Sequence, residues 1–190
     1  MSWWISLAAG WILAACWVTA GFLPIFFYRN KRFEGCTRTI PNPKHWPLVS
    51  VVVAARDESR LLEKSLRSLA AMDYPSFEVI AVNDRSADET GEIMDRLAKG
   101  ESRIRAIHIS ELPKGWLGKC HALHQGAQRA AGELLLFTDA DVTFAPETLR
   151  LAGRYFVAHG LDHLVIFPGF SRRGYWEDAL KAYFSFSFLF

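Results

Sequence analysis

A chain of 190 residues is long enough for about one domain with an appendage. Its net charge of +2 supplies no field for holding a polyanion, so nucleic acid is excluded as an expected partner. Three scattered cysteines, Cys16, Cys36 and Cys120, form neither a disulfide framework nor a metal-ligand spacing, and they agree with a reducing compartment.

Charge is absent before Arg29, and residues 3–28 form an apolar run broken only by Ser6, Thr19, glycines and Pro24. Such a run exceeds the roughly twenty residues that a helix needs to span a bilayer. A secretory signal would open on basic residues and end in a small-residue cleavage site. Here the basic cluster Arg29, Lys31 and Arg32 follows the run, and Trp3, Trp4, Phe26, Phe27 and Tyr28 form aromatic belts at its two ends. The expectation is an uncleaved transmembrane anchor over residues 1–28, with the following domain on the cytoplasmic side of the inner (cytoplasmic) membrane. Residues 29–47, basic and then proline-rich, read as a linker on the membrane surface.

A globular domain is expected over residues 48–174. Residues 49–54 are a β-branched strand, and Leu61, Leu62, Leu66 and Leu69 repeat behind it at helical spacing. Asp73, Tyr74 and Pro75 break that helix. Residues 77–82 form the next strand. Ser86 and Glu89 match a capping box, with Ile93, Met94 and Leu97 as the face of the helix that follows. Residues 104–109 are a third strand. A polar loop over 110–118 leads to a helix over 119–131, with Gly132 as its left-handed C′ residue. Residues 134–137 have the length and apolarity of a buried fourth strand, Pro146 opens a further helix, and residues 164–167 are a fifth strand. Alternation of strand and helix predicts an α/β fold, a mainly parallel, Rossmann-like sheet covered on both faces.

Ligands of such sheets bind beyond the carboxyl ends of the strands, near the point where strand order reverses. Arg56, Asp57 and Glu58 follow the first strand, Asn83, Asp84, Arg85 and Ser86 the second, and Asp139 and Asp141 the fourth, while Lys119 opens the helix after the third. Carboxylates there can accept hydrogen bonds from base N–H groups and ribose hydroxyls, and Lys119 with its helix N-terminus can meet a phosphate. In extended chain, residues two apart point the same way, so Asp139 and Asp141 can hold a divalent cation that neutralises a diphosphate. The competing reading makes Asp57, Glu58 and Asp84 helix caps, and Asp139 and Asp141 parts of a solvated turn. No Gly-x-Gly-x-x-Gly turn follows the first strand, which argues against a dinucleotide site, and neither a Walker A loop nor the glycine-rich phosphate loop of nucleotidyltransferases is present. His121 and His124 lack an evident third ligand and read as helix surface or pocket wall. Trp116, between glycines, either covers a bound donor or packs in the core.

The succession of residues 55–58, 82–86, 112–119 with its Pro-x-Gly-Trp-x-Gly-Lys element, and 138–141 resembles the family 2 glycosyltransferases of GT-A fold. Within that family it looks most like the membrane-anchored bacterial branch associated with hopanoid and carotenoid lipids, and more distantly like ceramide glucosyltransferases. The resemblance implies an enzyme that transfers a glycosyl group, with inversion, from a nucleotide-diphospho-sugar (a UDP-sugar) to the hydroxyl of a lipid. By that pattern Ala55, Arg56, Glu58, Asp84, Lys119 and Asp139 bind the donor, Glu58 and Asp84 at the base and ribose and Lys119 at the diphosphate. Asp141, with Asp139, would bind Mg²⁺ or Mn²⁺. Many relatives carry Tyr or His with Asn where Arg56 and Asp57 stand, and in place of that aromatic ring the Arg56 guanidinium plane could stack on the base.

The family's catalytic base and a Gln-x-x-Arg-Trp motif lie well downstream of the paired aspartates, and neither is found up to Phe190. The resemblance therefore implies a base beyond Phe190. Asp178 is the weak candidate within the sequence, because its surroundings look like the start of a membrane-surface helix. Residues 175–190, almost uniformly apolar and rich in phenylalanine, read as an interfacial or membrane helix. The expectation is a truncated chain that holds the donor half of the site. The rival reading is a non-catalytic, membrane-anchored nucleotide-sugar-binding remnant or scaffold.

Overall fold

The computed structural model describes residues 11, 37 and 39–166. The expected anchor and the expected helix over 175–190 lie outside the described residues. So do Asp178, the weak candidate for the base, and Phe190, the residue beyond which the base itself is expected. No catalytic base is thus assigned among the described residues. Among them, too, no helix is long and apolar enough to cross a membrane. Nearly all of them fall in one compact unit, Ile40–Val165.

That unit alternates strand and helix: β1 (Val49–Ala55), α1 (Ser59–Ala70), β2 (Phe77–Asp84), α2 (Thr90–Gly100), β3 (Ile104–Ile109), α3 (Gly118–Ala127), β4 (Leu134–Asp139) and α4 (Thr148–His159). The strands form one parallel sheet in the order β3-β2-β1-β4. Because the chain adds β2 and β3 on one side of β1 and then returns to place β4 on the other, strand order reverses between β1 and β4. The crevice at their carboxyl ends is where a ligand of such a sheet binds.

Strand alternation divides the core into two layers. Val49, Val51, Val53 and Ala55 of β1, with Val79 and Ala81 of β2, meet Leu62, Leu66 and Leu69 of α1, Ile93, Met94 and Leu97 of α2 and Leu149 of α4. Each of the three α1 leucines is fully buried, worth roughly 1.5–3 kcal/mol apiece relative to exposure. On the opposite face Val52, Ile80 and Val82 meet Ala122 of α3. Gly126 lets α3 lie close to the sheet, since a β-carbon there would stand 2.4 Å from the Val52 side chain.

Several local expectations are corrected. Leu61 points outward, 48% exposed, because the buried α1 stripe runs through Leu62, Ser65, Leu66 and Leu69. The capping box does not form. Helix α2 begins at Thr90, and the Ser86 hydroxyl accepts the Asp57 backbone N–H instead. Helix α3 ends at Ala127, and Gly132 is not a left-handed cap. Its N–H donates to Ser50 Oγ, and a β-carbon would stand 2.5 Å from the Ser50 nitrogen, so this glycine serves the close approach of two segments of the chain. The left-handed C-cap belongs to Gly160 after α4, which itself starts at Thr148 rather than at Pro146.

Strand β4 is not buried on both faces. Leu134 and Leu136 pack on the α1–α2 layer, but α3 lies over β1 and β2 and leaves Leu135 and Phe137 half exposed. Residues 164–166 form no strand, so the described sheet has four. At the other end of the domain, part of the segment read as a linker is docked on the domain. The Trp46 ring meets Tyr74 edge to face at 5.3 Å, and the Tyr74 hydroxyl donates to the Pro47 carbonyl at 2.8 Å. Burial, with Glu133 nearby, pushes that phenol up to about 12.

Candidate donor site at the strand ends

The sheet register sets the site. Ala54 pairs with Asp139 and Ala55 with Asn83, so the ends of β4, β1 and β2 stand side by side. Ala55 is buried in the core, and the exposed Arg56 follows it. Asp57 then adopts a left-handed backbone, φ 55°, which turns the chain into α1. The Arg56 guanidinium is 3.8 Å from the Asp57 carboxylate and meets no other charge among the described residues.

The β1–α1 and β2–α2 loops are laced together. Asp57 N–H donates to Ser86 Oγ, and Asp57 Oδ1 accepts from Ala87 N–H at 2.8 Å. Glu58 N–H donates to the fully buried Thr90 hydroxyl at 2.9 Å. Asp88 accepts from Ser59 N–H and Thr90 N–H. The hydrogen bonds from Thr90 and Ser59 hold the Asp88 carboxyl well below the usual carboxylate range. Asp57 and Asp88 thus work as structural acceptors. Glu58 is the N-cap residue of α1 but makes no side-chain cap bond, and its carboxylate has no partner among the described residues. Of the two carboxylates expected to bind the donor on this rim, Glu58 and Asp84, Glu58 is the one left available.

Asp84 is only 3% exposed. Arg85 grips it from the next position, Nε–H to Oδ1 at 2.8 Å and Nη2–H to Oδ2 at 3.3 Å. Behind it, Asn83 Oδ1 accepts the Ser86 N–H, and Asn83 Nδ2 lies 3.1 Å from His108 Nδ1, whose other ring nitrogen meets Asp95. Asn83 donating to Nδ1 leaves the His108 proton on Nε2, facing the Asp95 carboxylate.

Across the crevice, Lys119 in the first turn of α3 forms an ion pair with Asp139 at the end of β4. Both side chains are more than half exposed. The strand stops at Asp139 and the chain turns through Ala140 and Asp141, so the extended-chain rule does not govern this pair. Asp141 is exposed and its carboxylate has no partner among the described residues. No three or more His, Cys, Asp or Glu of the described residues gather into a cage for a metal. Two hard oxygen donors one residue apart fit Mg²⁺ or Mn²⁺ held jointly with a diphosphate, the usual arrangement for a cation that arrives with its nucleotide.

Trp116 stacks on His124 at 5.0 Å and meets His121 edge on at 5.4 Å, and it remains 40% exposed. His121 is buried, and its Nδ1 has no partner among the described residues. His121 is thus buried and His124 exposed, both against one indole. Sequence reasoning missed the Arg85 grip, the His108 relay and the lacing by Ser86 and Thr90. The apolar pattern carries no signal for any of them.

The parallel α/β sheet, with carboxylates and a lysine at its switch point, is of Rossmann-like, GT-A type. A model of glycosyl transferase family 2 matches residues 50–184, and the chain belongs to that family. It is 34% identical to beta-monoglucosyldiacylglycerol synthase of Trichormus variabilis, over 54% of this chain and 22% of that protein. It is also 34% identical to 4,4'-diaponeurosporenoate glycosyltransferase of Staphylococcus aureus, over 63% of this chain and 31% of that protein. Among solved structures it is similar to the mannosyltransferase PcManGT from Pyrobaculum calidifontis in complex with GDP-Man and Mn²⁺, with a TM-score of 0.61, 29% identity and coverage of 78% of this chain and 43% of that one. The chain spans less than a third of the length of these two curated relatives.

Proposed function

We propose that this chain carries the donor site of a membrane-associated glycosyltransferase, which moves a glycosyl group from a nucleotide-diphospho-sugar, a UDP-sugar, to a lipid hydroxyl with inversion at the anomeric carbon. The observation that carries the reading is the convergence of the β1, β2 and β4 ends on the Lys119–Asp139 pair. The ends of β1 and β2 take the nucleoside, with Glu58 as a free acceptor for N–H and O–H donors. Lys119 leaves Asp139 for the diphosphate and stabilises the charge that grows there as the glycosyl bond breaks. Asp139 and Asp141 hold Mg²⁺ or Mn²⁺, as the Mn²⁺ and GDP-Man of the archaeal relative's complex support. That cation supplies further neutralisation of the leaving diphosphate when bound.

The lipid acceptor rests on the names of the two relatives, one a diacylglycerol glycolipid synthase and one a carotenoid-acid glycosyltransferase. Placement at the cytoplasmic face of the inner membrane rests on the apolar run over residues 3–28 and the basic cluster that follows it. Calorimetric titration of the full chain with UDP, and with GDP as comparator, with and without Mn²⁺, tests the reading. Metal-enhanced binding of UDP that Asp141→Ala abolishes is the expected result. Absence of nucleotide binding, or binding indifferent to both metal and Asp141, defeats it.

A further inference from the structure

We propose that His108 is a pH-sensitive switch on the laced side of the crevice: charging its imidazole removes a hydrogen bond that the turn after β2 needs, and the site then holds its nucleotide more weakly. This rests on the donor-site reading and names a regulation of that same site. The ring stands between β2 and α2. Its Nε2 meets the Asp95 carboxylate at 2.9 Å, and its Nδ1 lies 3.1 Å from Asn83 Nδ2. The other end of the Asn83 amide fixes which way it faces, because Oδ1 accepts Ser86 N–H at 3.1 Å and a backbone N–H can only donate. Asn83 therefore presents an N–H to the ring, and Nδ1 must accept it, which only the neutral imidazole can do. Asp95 favours the imidazolium, while the Asn83 amide opposes it.

A proton on Nδ1 sets the N–H groups of His108, Asn83 and Ser86 around a single acceptor, Asn83 Oδ1. If the amide stays as it is, two N–H groups face each other. If it turns over, Oδ1 serves His108 and Ser86 N–H is left facing another donor. One hydrogen bond is lost in either case. The amide is closed in, since Asn83 is buried and a β-carbon on Gly91 would stand 2.8 Å from its Nδ2 and 3.5 Å from His108 Cε1. The bond at stake closes the turn in which Arg85 takes a left-handed φ of 57°, a conformation that a non-glycine residue holds only with support. Ser86 also accepts Asp57 N–H on its hydroxyl, so loosening that turn loosens the loop after β1 as well. Strand β3 packs against β2 and α2. From those two elements Asp95 is the one charged group in contact with the ring among the described residues. Glu92 and Lys99, a turn to either side of Asp95, are exposed and of opposite sign, and Arg96 is paired with Glu63.

Calorimetry of the full chain with UDP and Mn²⁺ from about pH 8 to about pH 5, the interval in which an imidazole changes charge, tests the switch. The reference is His108→Asn, whose side-chain oxygen takes the place of Nδ1 as acceptor and does not titrate. UDP and the aspartates titrate alike with both proteins, so the ratio of the two affinities isolates His108. Affinity of the unaltered chain relative to the variant is expected to fall about fivefold across the interval, the loss of one hydrogen bond. Asp95→Asn removes the carboxylate that favours the imidazolium, so the fall should move to lower pH. A ratio that stays flat or rises as pH drops overturns the proposal, and so does a fall that keeps its place when Asp95 is neutralised. Should His108→Asn fail to fold, the affinity of the unaltered chain relative to Asp95→Asn should dip within the same interval, and a flat ratio overturns the proposal. Hydrogen exchange at the Ser86 amide reads the switch without ligand. Its protection in the unaltered chain, relative to His108→Asn, should fall as pH drops, and a constant relative protection overturns the proposal too. Failure of the unaltered chain to bind UDP at pH 8 is a different result: it removes the donor-site reading, and the Ser86 amide still decides whether His108 controls the turn.

Discussion

The two rims of the crevice are built differently. On the β1–β2 rim, backbone N–H groups of Asp57, Glu58, Ser59, Ala87 and Thr90 all end on side chains, four of them on the neighbouring loop. On the α3–β4 rim, one solvated ion pair joins Lys119 to Asp139, and Asp141 has no partner among the described residues. Hydrogen bonds from main-chain N–H groups, part-buried at Glu58 and Thr90, fix geometry before a ligand arrives, while an exposed ion pair contributes little and rearranges readily. On the proposed function, the laced rim is a preorganised seat for the nucleoside, and the open rim is where charge would be redistributed on binding of diphosphate and cation.

Thr90→Val should break this contrast most. The substitution keeps the shape of a fully buried side chain but removes the acceptor for Glu58 N–H, leaving a donor without a partner. The expected cost is about 1–3 kcal/mol of folding stability, read as a lower urea midpoint at unchanged slope. A change within about 0.5 kcal/mol would mean that the lacing is not structural.

Asp88 gives a smaller effect with a pH signature. Its folded-state pKa lies below the unfolded one, so its contribution is present in full above the unfolded value of about 4 and is lost as pH falls from there toward the folded value. Asp88→Asn should be the less stable protein at neutral pH, and the two thermal-melting curves should converge as the pH drops below about 4. Parallel curves through that range would show that Asp88 does not titrate against the Ser59 and Thr90 amides.

The same contrast explains what could be read before the fold was known. Strands β1 to β4 and helices α1 and α2 follow from apolar period alone, because Val51, Leu66 and Met94 must reach one layer and Val52 the other. The placement of the open rim was legible too. Lys119, Asp139 and Asp141 are solvated side chains at an element start and a strand end, which the alternation of strand and helix locates. The laced rim was not, because its bonds join loops about thirty residues apart, as between Asp57 and Ala87. Ser86 shows the difficulty: the local pattern with Glu89 promises a capping box, and a tertiary donor, the Asp57 amide, takes the hydroxyl instead. Gly132 and Arg85 likewise depend on a neighbouring segment and on a left-handed turn, neither of which periodicity encodes. The exposure of Phe137 was hidden for a related reason, since α3 covers β1 and β2 and stops short of β4.

Lys119→Met gives the smallest expected change in stability and tests the open rim directly. Both partners of its ion pair are more than half exposed, so solvent screens the attraction and the loss should stay below about 1 kcal/mol. The methionine keeps the apolar stem of the side chain and leaves Asp139 unpaired in water, where an unpaired carboxylate costs little. Binding should respond in two opposite ways. Without nucleotide, the Asp139–Asp141 pair is freed of a competing ammonium, so Mn²⁺ should bind at least as well as to the unaltered chain. With UDP present, affinity should fall because the diphosphate has lost its cationic partner. Electron paramagnetic resonance of free Mn²⁺ in the presence of each protein reads the first effect, and calorimetry reads the second. A chain that loses Mn²⁺ affinity in the absence of nucleotide when Lys119 is replaced would show that the lysine supports this pair of aspartates rather than competing for it. The open rim would then be as preorganised as the laced one.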